Sequence, residues 1–173
     1  MRRPLTAVLV ALAVVALAPA ALAQVPWDAA KKVAGQASVG KLEKEINGRL
    51  LEEGKQNQCT FKSGTTELEP GCDAKMKRLA NALVDAKKRL NAAGISNFKF
   101  VVSGHTDSSG SAAKNKELSG ERAAVVVKEL VAKGVPAAEI ESIGMGSERR
   151  LVKPDDTPAK KARNRRYEVQ VRL

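Results

Sequence analysis

Between Val39 and Leu50, apolar residues recur at spacings of three and four (Val39, Leu42, Ile46, Leu50), with Lys41, Glu43, Lys44, Glu45 and Arg49 between them. This period predicts an amphipathic helix ending near Gly54. Its stripe is too short for a stable coiled coil, which favours packing on the domain over self-association. A second stripe, Met76, Leu79, Ala80, Leu83 and Leu90, predicts a helix from about Asp73 to Asn91, capped by Asp73 and stopped by Gly94. A third, Ala123, Val126, Val127 and Leu130, predicts a helix from Ser119, as its N-cap, to about Lys133. The period then changes to two. Phe98, Phe100 and Val102 share one face of a predicted strand over 97–103, and Tyr167, Val169 and Val171 alternate with Glu168, Gln170 and Arg172 in a closing strand. Cys59–Lys62 and Glu139–Met145 read as two further short strands, and a long polar loop runs through Pro154 and Pro158. The order is βαβαβ with a final closing strand. It predicts an α/β fold, a two-layer α/β sandwich preceded by an amphipathic helix.

The first residues have the layout of a cleaved export signal: Arg2 and Arg3, an almost wholly apolar run from Leu5 to Leu17, and Ala21-Leu22-Ala23 before Gln24. The alternative is an uncleaved anchor, for which the apolar run barely reaches spanning length. Pro19 and the alanine-rich end favour cleavage. The expected organisation is a signal peptide over 1–23, a tether and amphipathic helix over 24–57, and a globular domain over 58–173. No cysteine follows the signal to accept a lipid.

Charge narrows the choice of partner. The chain carries a formal +11, and removing Arg2 and Arg3 leaves +9. Such a surface suits anionic partners. Nucleic acid is not expected, since an exported chain rarely meets it and stacking aromatics are scarce. An acidic cell-wall polymer fits better, with solubility alone as the bland alternative. Cys59 and Cys72 are the only cysteines, and in an exported chain an even count predicts a disulfide. Closing so short a loop contributes on the order of 3 kcal/mol in the chain-entropy account.

The candidate chemistry lies in Gly104-His105-Thr106-Asp107-Ser108-Ser109-Gly110, with Asn115, Leu118-Ser119 and Arg122 downstream. Asp107 follows a predicted strand end, and its carboxylate can accept charge-assisted bonds from an ammonium. Arg122, expected in the first turn of the next helix, offers a planar fork that matches a carboxylate. The helix N-terminus would add to the attraction for an anion. Together they outline a pocket for a zwitterion with ammonium and carboxylate close together. The residues alone leave open the alternative that Asp107 and Arg122 pair with each other. His105 is the sole histidine, with no triad or metal constellation around it, so it reads as a loop brace and no enzyme, cofactor or metal is expected. Ser108, Ser109 and Ser111 read as turn residues.

The run GHTDSSGSAAKNKELSGERAAVVVKEL, from Gly104 to Leu130, resembles the signature of the OmpA-like (outer-membrane protein A C-terminal-like) domain. Asn164-Arg165-Arg166-Tyr167-Glu168 resembles its closing motif, with Tyr167 where an aliphatic residue is commonest. The resemblance covers Cys59 to Leu173. It implies non-covalent peptidoglycan binding through diaminopimelate of the stem peptide, the acid matching Asp107 taking the ammonium and the arginine matching Arg122 taking the carboxylate. Thr106 and Asn115 match positions in or beside the binding loop, and Arg165 is a further candidate contact from the closing strand. Arg166 is expected to face solvent or a structural acid. The resemblance implies a periplasmic protein of the cell envelope, peripherally associated with the outer membrane or free. The alternative function is an adaptor that docks an envelope membrane protein complex through its N-terminal helix.

Overall fold

Backbone order and side-chain chemistry fix how the sheet ends beside the candidate site. The computed structural model describes residues 27–62 and 65–173, with side chains from residue 35 onward. The expected signal over 1–23 lies outside them. The elements are α1 (Trp27–Gln56), α2 (Cys72–Ala92), β1 (Lys99–Gly104), α3 (Ala112–Ala132), a 3-10 turn (Ala137–Glu139), β2 (Ile140–Gly144), α4 (Pro158–Asn164) and β3 (Tyr167–Arg172). Ala37 to Leu173 form one compact unit. Among the described residues no helix is long and apolar enough to cross a membrane.

The sheet order is β2-β1-β3. β1 runs parallel to β2, from Phe100↔Ile140 to Gly104↔Gly144, and antiparallel to β3, from Lys99↔Arg172 to Gly104↔Tyr167. A parallel pair needs a crossover, and α3 supplies it. Phe100, Val102, Val169 and Val171 join Leu79, Leu83, Leu90, Ala123, Val126 and Leu130 in a single core cluster. Ile46 and Leu50 of α1 belong to the same cluster and are 1% and 2% exposed. The amphipathic face of α1 is therefore part of the core, and each such burial contributes about 1.5–3 kcal/mol. Cys59 and Cys72 are disulfide-bonded, with Cα atoms 5.6 Å apart.

Several local expectations are corrected. Cys59–Lys62 is not a sheet strand. Phe61 makes one antiparallel bridge to Leu68, flanked by Lys62 N–H to Glu67 O and Glu69 N–H to Thr60 O. The outer edge of β3, where such a strand would add, is answered by side-chain amides instead. Gln58 donates to Tyr167 O (2.6 Å) and accepts from Tyr167 N–H (3.4 Å), while Asn47 donates to Val171 O (3.1 Å) and accepts from Val171 N–H (2.7 Å). α1 passes through Gly54, and Asn57 closes it by turning both its backbone N–H and its side-chain amide onto Glu53 O. Asp73 does not cap α2. Gly71, at φ 88°, holds the N-cap position without a side-chain bond, and the Asp73 carboxylate pairs with Lys133. The loop through Pro158 contains α4, whose N-cap Thr157 accepts from Lys160 N–H. Finally, α3 starts at Ala112, because Ser111 takes an extended conformation and accepts from Lys114 N–H.

Ser119 is consequently an interior helix residue. Its hydroxyl donates to Lys116 O (3.0 Å) and accepts from Gly146 N–H (2.8 Å), tying α3 to the turn after β2. This contact requires α3 to lie almost on the backbone of the strand ends. A Cβ on Gly104 would sit 2.1 Å from Ser119 O, and one on Gly144 would sit 2.3 Å from Lys116 O. Both Gly104→Ala and Gly144→Ala should therefore destabilise by about 1–3 kcal/mol or more. Gly48→Ala in α1, where nothing lies within 4 Å, should stabilise by about 0.5–1 kcal/mol through helix propensity. Urea denaturation of the three variants checks both signs.

Candidate functional site

The loop from His105 to Ser111 leaves β1 and enters α3, and each of its turns is pinned by a named group. His105 N–H donates to Arg166 O (2.8 Å) and Thr106 N–H to Gly146 O (2.9 Å). Ser109 N–H donates to Asp107 Oδ1 (2.9 Å), and Gly110, at φ 84°, makes the last turn before the helix. Asn115 reaches back from the first turn of α3 and donates to Ser109 O (2.9 Å) and Asp107 O (3.4 Å). It braces the loop.

Beneath the loop lies a carboxylate that sequence reading missed. Asp155, 4% exposed, accepts from Ser108 N–H (2.9 Å), Ser108 Oγ (2.6 Å), Asn164 Nδ2 (2.9 Å) and Arg150 Nη1 (3.0 Å). Buried charges persist only when paired and hydrogen-bonded. These donors, Ser108 first, hold the Asp155 carboxyl well below the usual range against the opposing effect of burial. Asn164 also exchanges two 3.0 Å bonds with the backbone of Val152. Asp155 and Asn164 thus join the binding loop to the segment that presents Arg165. Both stand in polar stretches whose hydropathy resembles an open loop, so nothing in the pattern singles out Asp155. Asn164 was visible only as part of the closing motif.

The sequence-predicted residues converge on one cavity of about 490 Å³, lined by Thr106, Asp107, Asn115, Arg122 and Arg165. Asp107 and Arg122 do not form an ion pair with each other. Asp107 Oδ2 accepts instead from Arg165 Nη1 at 2.9 Å, and the Arg165 side chain is 45% exposed. Burial pushes the Asp107 carboxyl up, but Arg165 and Ser109 outweigh it and hold it below the usual carboxylate range. Arg122, 7% exposed, donates from Nε to Thr65 O (3.0 Å) and lies 5.0 Å from the Phe61 ring centroid. Its two terminal nitrogens make no hydrogen bond to the described residues, which leaves the fork free for an anion. Burial and the Arg165 charge both lower its pKa, opposed by Asp107, yet a guanidinium stays charged at any physiological pH. Arg122 stands in the third turn of α3, not the first, so the helix N-terminus does not contribute as the sequence suggested. The Thr106 hydroxyl is buried without a hydrogen-bond partner among the described residues.

Two further walls come from the segments joined by the Phe61–Leu68 bridge. Phe61 and Glu69 face the same cavity, and among the described residues Glu69 is in no ion pair. The short apolar run around Phe61 signalled a strand and concealed this role. His105 is 2% exposed and its Nε2 lies 3.7 Å from Glu168 Oε2, too long for a direct bond. Arg166 pairs with Glu168, a structural acid as expected.

The OmpA family model matches residues 60–165. The chain belongs to the OmpA family. Peptidoglycan-binding protein ArfA of Mycobacterium tuberculosis (strain ATCC 25618 / H37Rv) is 38% identical over 73 residues, 42% of this chain and 22% of ArfA. Outer membrane protein A of Klebsiella pneumoniae is 56% identical over 46 residues, 27% of this chain and 13% of that protein. The chain thus spans under a quarter of the length of these curated relatives. Among solved structures, the peptidoglycan-associated lipoprotein from Burkholderia pseudomallei superposes with a TM-score of 0.55 at 22% identity, covering 66% of this chain and 89% of that one. The periplasmic domain of Helicobacter pylori MotB (residues 78–256) gives 0.54 at 20% identity, covering 68% and 71%. At these identities the two structures establish the fold: the sheet and helices described above are those of the OmpA-family domain.

The site carries a pH signature. The Glu168 carboxyl is pulled down to about 2 by His105 and Arg166, against burial. Its folded pKa lies below the unfolded value of 4.5, so its contribution is present above pH 4.5 and is lost as pH falls towards 2. Stability should fall through that window. Glu168→Gln should be less stable at pH 7 and show a shallower fall, checked by thermal melts across pH 2–7.

Proposed function

We propose that this protein binds peptidoglycan non-covalently and without catalysis, through the diaminopimelate of the stem peptide, and helps anchor or organise the cell envelope from the periplasm. The observation that carries this reading is the cavity in which Asp107 and the free fork of Arg122 meet. The name of the relative ArfA, a peptidoglycan-binding protein, supports the same class of ligand. An ammonium is held by Asp107, beside Arg165 or in its stead. A carboxylate is held by the Nη atoms of Arg122. Thr106 offers its unpartnered hydroxyl to the ligand, Arg165 offers a second fork from the closing strand, and Asn115 acts by holding the loop.

The adaptor reading needs a free helix face for a partner. Leu42 packs on the core, while Ile46 and Leu50 are within it, which weighs against that reading over this stretch. Removing 24–55 would open the core by taking Ile46 and Leu50 out of it.

The test is co-sedimentation with purified diaminopimelate-type sacculi. Arg122→Ala should cost about 2 kcal/mol or more, roughly thirtyfold, because it strands the ligand carboxylate. Asp107→Ala should lose binding similarly. Variants that are folded and pellet like the parent would refute the assignment. Binding should also weaken as salt rises, because the basic surface attracts an anionic wall. Retention unchanged from low to high salt would remove that contribution.

A further inference from the structure

A second cavity, of about 600 Å³, lies between the end of α1 and α4 and shares Arg165 with the first. Its chemistry differs. Leu51 and Leu151 flank it, and these are two of the four large apolar side chains left exposed among the described residues, at 41% and 60%. Lys55, Arg163, Arg165 and Arg166 supply positive charge. The one acid in its lining, Glu168, is already engaged by Arg166 at 2.6 Å. Lys55 has only an exposed 3.7 Å pair with Glu52, which holds it weakly. Arg163 is in no ion pair among the described residues. The groove is therefore apolar along its flanks and holds uncompensated positive charge.

We infer that this groove is a second subsite for the same ligand, holding the peptide arm attached to the zwitterionic residue. The inference rests on the stem-peptide reading above. Arg165 lines both cavities, so the groove adjoins a ligand seated on Asp107 and Arg122. The occupant that fits is a short peptide with methyl-sized side chains, to cover Leu51 and Leu151, and a further free carboxylate for Arg163. An uncharged sugar strand would leave the cations unanswered, and desolvating them without a partner is costly. Charge complementarity selects the peptide arm. The consequence is that the protein distinguishes a diaminopimelate residue within its peptide from the free amino acid.

Calorimetry of the full chain with two probes tests this: free meso-diaminopimelate and the tripeptide L-alanyl-γ-D-glutamyl-meso-diaminopimelate. The tripeptide should bind about tenfold tighter or more. Arg163→Glu should remove most of that gain while leaving diaminopimelate within about twofold of the parent. The exposed pair Leu51→Ser with Leu151→Ser, which leaves the core intact, should act in the same direction. Equal binding of the two probes by the parent overturns the groove alone. So does an equal loss of both probes in Arg163→Glu. Binding of neither probe overturns the diaminopimelate reading and the groove with it. Phosphatidylglycerol vesicles form the last arm: binding that Arg163→Glu abolishes, with tripeptide affinity unchanged, would assign the groove to lipid and overturn the inference.

Discussion

The structure turns on how closely α3 approaches the ends of β1 and β2. Gly104 and Gly144 are partners in the parallel register, and the space a side chain would need at each is filled by helix backbone. The approach has a direct functional consequence. It sets the height of α3 over the loop that leaves β1, and with it the position of Arg122 relative to Asp107. Ser119, fully buried and bonded to Gly146 N–H, fixes the helix at that depth. Close packing permits little adjustment elsewhere, because interiors transmit strain instead of absorbing it.

Above that platform, order in the loop is electrostatic. Asp155 gathers four donors from the binding loop, Arg150 and Asn164. A buried carboxylate without them would be strongly unfavourable. With them it joins the loop at Ser108, 47 residues away in the chain, to its own neighbourhood between Arg150 and Asn164, and leads directly to Arg165, the next residue after Asn164. Tyr167 works the same way on the other side. Burial raises its hydroxyl to about 12, so it stays a neutral donor to Asn57 O (2.7 Å) while accepting from Cys59 N–H. The end of α1 is thereby joined to the closing strand.

The sequence made much of this legible and concealed the rest for identifiable reasons. The stripe Met76 to Leu90 and the alternation Tyr167 to Val171 encode burial, and burial patterns survive in a linear reading. Asp107, Arg122, Arg165 and Cys59–Cys72 were visible as chemistry. The start of α3 was missed because Ser119 and Ser111 are both competent caps, and the choice between them depends on contacts with Gly146 that no local window contains. Residues 59–62 have strand-like composition, yet the sheet edge they would join is closed by Asn47 of α1 and by Gln58, just ahead of them. Asp155 and α4 were hidden because a buried polar hub has the composition of a solvated loop. The alternative that Asp107 pairs with Arg122 failed because Arg165, 58 residues away in the chain, takes the Asp107 carboxylate.

The Arg165–Asp107 pair shapes what binding at this site can cost and gain. Asp107 already has a cationic partner in Arg165, so on the proposed reading an ammonium would replace or share a guanidinium and would not meet a bare charge. The exchange of one cation for another gains little Coulomb energy, and net affinity then depends on what the displaced or shared Arg165 does next. Arg165 lines both cavities and its side chain is 45% exposed, so on the proposed reading a ligand carboxylate would compete with Asp107 for it. On the proposed reading, a site arranged in this way would hold each single ligand modestly. On a polymer that repeats the ligand, retention would exceed that of a single site if copies of the protein self-associate and engage several repeats at once.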